Sequence, residues 1–170
     1  MEMSQVENRL SAAEYFERGN RHLRDHRCDD AIACYDLAIG EHPRIAEFHF
    51  NKGNAHAQQH HFADAVLCYD TALALRLDYA DALANRGNCL YEMGRYTEAL
   101  ESFERAIGLR PDLATAQLNK GNSLVRLHQY AAALKAYDLA LVVDPALIEA
   151  VYNKSIALHL MLLEQNAEPQ

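Results

Sequence analysis

The chain has no tryptophan, only seven glycines and four prolines in 170 residues, and no excess of positive charge. So few chain breakers leave room for long regular elements joined by short connections. Acidic residues outnumber basic ones by 24 to 16, giving a formal net charge of −8. Sequence-independent nucleic-acid binding needs a basic surface to meet phosphate, so that function is disfavoured. The most apolar run, Ile156 to Leu163, is too short to span a bilayer and contains His159. The opening MEMSQVENRL has no apolar core of a secretory leader. The four cysteines, Cys28, Cys34, Cys68 and Cys89, show no C-x-x-C spacing and read as free buried thiols. A soluble, cytoplasmic, non-membrane protein is the expectation. No P-loop, Ser/His/Asp set or paired catalytic carboxylates can be drawn, so neither enzymatic activity nor a cofactor is expected.

What is there is a period of 34 residues. Gly19, Gly53, Gly87 and Gly121 keep it, as do Ala31, Ala65, Ala99 and Ala133, and again Ala38, Ala72, Ala106 and Ala140. An aromatic row, Tyr35, Tyr69, Phe103 and Tyr137, holds the same register. Pro43, Pro111 and Pro145 close three repeats, and Leu77 stands where the second would have proline. Within 80–113, Leu83, Gly87 and Leu90 fall on one face of a first helix, and Ala99, Phe103, Ala106 and Ile107 on one face of a second. Met93-Gly94-Arg95 breaks the two. A glycine inside a helix costs about 1 kcal/mol against alanine. Its recurrence predicts close helix approach, with Gly87 meeting the small Ala99.

Apolar or aromatic residue, Gly four positions on, then Ala, aromatic, Ala and Pro: this pattern resembles the tetratricopeptide repeat (TPR). It covers 12–45, 46–79, 80–113 and 114–147, with a terminal first-helix copy at 148–163. A partly disordered segment, 1–11, precedes it and a polar tail, 164–170, follows. The family's tryptophan position instead holds Tyr15, His49, Leu83, Gln117 and Val151. The resemblance implies an all-α fold, a right-handed superhelical solenoid of about nine helices in antiparallel pairs. First helices would line a concave groove and second helices the back.

On the first helices two asparagine rows stand three residues apart: Asn51, Asn85, Asn119 and Asn153, then Asn20, Asn54, Asn88 and Asn122. Positions i and i+3 share a helix face, and asparagine is a poor helix former. One reading is that the carboxamides grip the backbone of an extended peptide, offering donors and an acceptor without regard to side chain. The other is that they bond between neighbouring helices. Phe16, Phe50, Ala84, Leu118 and Tyr152 run along the same face; Phe50, Leu118 and Tyr152 are taken with the asparagines as candidate peptide contacts, the alternative being that they pack against the next repeat. Glu47, Asp81 and Glu149 near the helix starts suit the helix dipole, and would favour a cationic ligand if they reach the groove. The carboxylate clamp of chaperone-binding relatives is not expected: Asn20 and Asn51 match it, but Phe16, Asp81 and Asn85 stand where it needs basic residues. The basic row Arg18, Lys52, Arg86, Lys120 and Lys154 faces an acidic row, Asp36, Asp70, Glu104 and Asp138, and reads as inter-helix ion pairing.

His56 and His60 are four apart and His61 follows, but a metal site needs a third ligand and none is evident, so no metal is expected. The last helix is apolar on nearly every side, against the polar outer face that normally caps a solenoid. Leu158, Met161 and Leu162 are the candidates there for self-association, giving a homodimer, or for a partner contact. The leading functional reading is an adaptor or scaffold that binds an extended, basic or apolar protein segment in its groove. The alternatives are a structural protein assembling through its last helix, and a small bacterial TPR-type chaperone.

Overall fold

The computed structural model describes residues 10–167. Residues 1–9 of the expected N-terminal segment and 168–170 of the expected tail lie outside the described residues. The described residues form nine α-helices and no strand: α1 (Ala12–Arg24), α2 (Cys28–Glu41), α3 (Ala46–Gln58), α4 (Phe62–Leu75), α5 (Ala80–Glu92), α6 (Tyr96–Leu109), α7 (Ala114–Arg126), α8 (Tyr130–Val143) and α9 (Ile148–Ala167). The starts of α1, α3, α5 and α7 are spaced by the sequence period. α9 runs on through Glu164, Gln165, Asn166 and Ala167, beyond the expected end at 163. No glycine or proline stands among those four residues to stop it.

The chain divides into two compact units, one ending at Leu75 and one beginning at Arg76. In the first, α1 packs on α2, α2 on α3 and α3 on α4, and α1 also touches α3. In the second, α5 to α9 each pack on the next, and α5 touches α7 as α7 touches α9. Odd-numbered helices therefore meet one another within each unit, and even-numbered ones do not. The odd helices, which carry both asparagine rows, form the closer-spaced layer.

The repeating residues explain the packing. The alanines of both rows are fully buried, and Tyr35, Tyr69, Phe103 and Tyr137 are buried to within 1 %. Burying such a ring contributes about 1.5–3 kcal/mol. Each ring edge lies against the glycine 16 residues earlier: a Cβ on Gly19, Gly53 or Gly87 would sit 2.7 Å from the nearest ring carbon, and on Gly121 2.4 Å. Gly87 thus makes room for the Phe103 ring, not for Ala99 as expected. The aromatic row needs the absent side chain because a ring reaches further across the helix pair than an alanine methyl does.

The turns inside the pairs share one conformation. His26, His60, Gly94 and His128 are spaced by 34 residues and have φ of 59°, 60°, 75° and 59°. Glycine takes this left-handed region freely and other residues only at a cost, which falls here on three histidines. α1 starts with a side-chain cap, a reciprocal box between Ser11 and Glu14, whereas α2, α3 and α5 to α8 start without one.

Candidate functional site: the asparagine-lined face

In the second unit the asparagines are joined to one another. Asn119 Nδ2 donates to Asn88 Oδ1 at 2.8 Å, from α7 to α5. Asn122 Nδ2 donates to Asn119 Oδ1 at 3.3 Å within α7, and Asn153 Nδ2 on α9 donates to Asn122 Oδ1 at 2.9 Å. Tyr137 Oη also donates to Asn122 Oδ1, at 2.8 Å, so that oxygen uses both lone pairs. The phenol stays a neutral donor, because burial pushes its pKa far above the ordinary tyrosine value. Asn88 has no such phenol below it: the matching ring is Phe103, and its oxygen is left for Asn119. Each primary amide carries two donor hydrogens. The relay uses one from Asn119, Asn122 and Asn153, and it fills both lone pairs of the Asn122 oxygen alone.

These amides line a cleft of about 610 Å³ in the second unit, closed by Tyr91, Glu92, Arg126 and Glu149. The guanidinium of Arg126 lies 4.6 Å from the centroid of the Tyr96 ring, a cation–π contact, and Tyr96 is held edge-on by Tyr91 at 5.3 Å. Glu92 and Glu149 supply negative charge. Tyr91, Val125 and Ile156 each stand three residues after an asparagine of the relay, and Glu92 and Arg126 four. The helical spacing that found the asparagines would have reached these residues one turn further on.

In the first unit the amides bond more locally. Asn20 Oδ1 accepts from Tyr35 Oη at 2.9 Å and Asn54 Oδ1 from Tyr69 Oη at 2.8 Å. Asn51 Nδ2 turns back to the Glu47 carbonyl at 3.1 Å, and Asn54 Nδ2 donates to Asn51 Oδ1 at 3.4 Å. Asn85, in the second unit, is half-buried and outside the cleft lining.

The apolar row divides. Leu118 is only 3 % exposed and packs in a core with Ala150 and Ala157 of α9, so no ligand can reach it. Phe16 packs against Tyr35 and Phe48, and half-buried Phe50 against Tyr69. Tyr152 is 66 % exposed, with no following helix among the described residues to cover it. Asp81 pairs with Arg110. Ion pairs Lys52–Asp36, Lys120–Glu104 and Lys154–Asp138, at 2.6, 2.9 and 2.5 Å, join neighbouring helices as the paired rows anticipated. All four thiols are free. Leu158 and Leu162 are exposed on one face of α9, and Met161 is half-buried towards the side that carries Ala157.

The Tetratricopeptide repeat family model matches residues 16–60 and 51–114, more than half of the chain. The chain belongs to the tetratricopeptide repeat family. No curated protein sequence matches it. Among solved structures, this TPR chain is similar to the MamA protein, with a TM-score of 0.85 at 20 % identity, over 92 % of this chain and 85 % of that one. It is similar to YrrB, described as a TPR protein with an unusual peptide-binding site (TM-score 0.81, 22 % identity, 95 % and 82 % covered). It is also similar to the first TPR of Spaghetti (RPAP3) bound to the HSP90 peptide SRMEEVD (TM-score 0.67, 26 % identity, 69 % and 95 % covered). TPR membership makes this chain a protein-interaction module. Among the described residues no helix is long and apolar enough to cross a membrane.

Proposed function

We propose that this TPR chain is a cytoplasmic adaptor that holds an extended segment of a partner protein across the asparagine-lined face of its second unit. The observation that carries the reading is the relay from Asn153 through Asn122 and Asn119 to Asn88, which spans three helices beside the cleft. The relay fixes the amide orientations before any ligand arrives, so little side-chain entropy is lost on binding. It leaves both donor hydrogens and acceptor lone pairs on the amides that line the cleft. The face can therefore meet both backbone carbonyls and backbone N–H groups. Glu92, Glu149 and the net charge of −8 favour a segment with a basic residue.

Peptide binding by YrrB and by the RPAP3 domain supports the class of ligand. An acidic peptide like the SRMEEVD of the latter is not the expected ligand here, since Phe16, Asp81 and Asn85 stand where a carboxylate clamp needs basic residues. The test is selection of binders from a displayed decapeptide library, followed by calorimetric titration. Asn119→Ala and Asn153→Ala are expected to weaken binding by about fivefold each, a lost hydrogen bond being worth on the order of 1 kcal/mol. Unchanged affinity in both variants would sink the reading.

A second reading rests on α9. Ile148 is 81 % exposed, and Val151, Leu158, Leu162 and Leu163 are also open to solvent. Such a surface favours burial against a second copy or a partner. Light scattering on the native chain and on Leu158→Glu/Leu162→Glu tests it: a dimer that becomes a monomer supports assembly through α9, and a native monomer removes it.

A further inference from the structure

We propose that His56, His61 and Asp64, at the corner between α3 and α4, form a binding site for a divalent transition-metal ion such as Zn²⁺. One ligand atom from each lies within 4.8 Å of the other two. Ligand atoms around tetrahedral zinc are separated by roughly 3.3 Å, given bonds near 2.0 Å. The gap to close is small, and His61 and Asp64 are exposed side chains able to close it. Two imidazoles and a carboxylate suit zinc or a neighbouring first-row ion, and leave one position for water or a partner's donor.

The corner is built, not frayed. His61 N–H donates to the His56 carbonyl at 2.9 Å, His60 N–H to Ala57 at 3.0 Å, and Ala65 N–H to the His61 carbonyl at 3.0 Å. Left-handed His60 turns its own ring onto Phe62, 5.5 Å between centroids. The buried Nδ1 of His56 has no hydrogen-bond partner, a feature it shares with His22 at the same position of repeat 1.

The other repeats show what is different here. At the same corner, repeat 1 has His22, Arg27 and Asp30, and repeat 3 has Leu90, Arg95 and Glu98. In both, the arginine pairs with the carboxylate at 2.6 Å. Repeat 4 has Leu124, Gln129 and Ala132. Repeat 2 alone among these keeps the carboxylate, exchanges arginine for a histidine, and sets a second histidine on the preceding helix. The missing third ligand of the sequence pattern is Asp64, on the next helix.

The experiment is titration of the chelator-stripped full chain with ZnCl₂ against a chromophoric competitor, with Co²⁺ absorption as a second readout. A single equivalent is expected, with a tetrahedral-type Co²⁺ spectrum. His61→Ala and Asp64→Asn, both exposed and not expected to disturb folding, should each weaken zinc binding by at least ~10-fold. His60→Asn, which tolerates the left-handed turn, should leave it unchanged. Circular dichroism on each variant separates lost ligands from lost fold. No zinc uptake by the native chain, or equal uptake in His61→Ala and Asp64→Asn, as thiol binding would give, overturns the site.

Discussion

The two units share one repeat, yet they use their asparagines differently. In the first, Asn20 and Asn54 each receive a tyrosine hydroxyl and Asn51 bonds to its own helix. In the second, amides reach from α9 to α7 and from α7 to α5. Asn122 accepts both a tyrosine hydroxyl and the Asn153 amide, and Asn88, beside the hydroxyl-free Phe103, accepts from Asn119 alone. The same scaffold anchors amides on tyrosine hydroxyls in both units and aligns four of them along a cleft in the second. The scaffold comes from glycine, alanine and aromatic rows; the surface comes from single exchanges inside them.

The largest expected effect lies in the scaffold itself. Gly121→Ala places a methyl 2.4 Å from the Tyr137 ring, and Gly53→Ala one 2.7 Å from the Tyr69 ring. Overpacking of this kind costs about 1–3 kcal/mol, with Gly121→Ala the worse, measured by urea unfolding. Gly108→Ala, with nothing within 4 Å of its added methyl, should instead stabilise by about 0.5–1 kcal/mol.

Next comes removal of hydroxyls. Tyr35→Phe strips Asn20 Oδ1 of its phenol donor and should cost about 1 kcal/mol. Tyr137→Phe leaves Asn122 Oδ1 still bonded to Asn153, so its cost should be smaller. Equal costs by urea unfolding would mean that the relay adds nothing to the second unit.

A pH dependence separates repeat 2 from its neighbours. Burial lowers the folded pKa of His56 below the ordinary histidine value of 6.5, so the unfolded chain takes up that proton first. Its contribution to stability is present above pH 6.5 and is lost as pH falls through and below that value, in the metal-free chain. His56→Leu, the residue found at 90 and 124, should flatten the unfolding midpoint between pH 7 and pH 5 relative to the native chain. The smallest effect is expected at Lys120→Ala: its pair with Glu104 is partly exposed and should be worth about 0–1 kcal/mol, reduced further by salt.

Most of the fold was legible because a 34-residue period in four residue rows fixes helix count, pairing and register together. What escaped was set by side-chain reach. Gly87 faces a ring two turns of α6 beyond helix start and not the nearer Ala99. His60 reads as a possible ligand beside His56, whereas the backbone role it shares with His26 and His128 appears only beside Gly94 in the same register. Leu118 looked available because its row shares the face of the asparagines; its own repeat has α9 packed over it. The cleft lining past the asparagines, and Asp64 beside His56, depend on neighbours that periodicity alone does not bring together.

The difference between the units is best tested by side-chain amide NMR of ¹⁵N-labelled protein during titration with a library-selected decapeptide. The Nδ2 signals of Asn88, Asn119 and Asn153 are expected to shift with peptide, while those of Asn20, Asn51 and Asn54 stay in place. Shifts confined to the first-unit amides, or to residues of α9 around Leu158 and Leu162, would contradict a ligand-bearing cleft in the second unit.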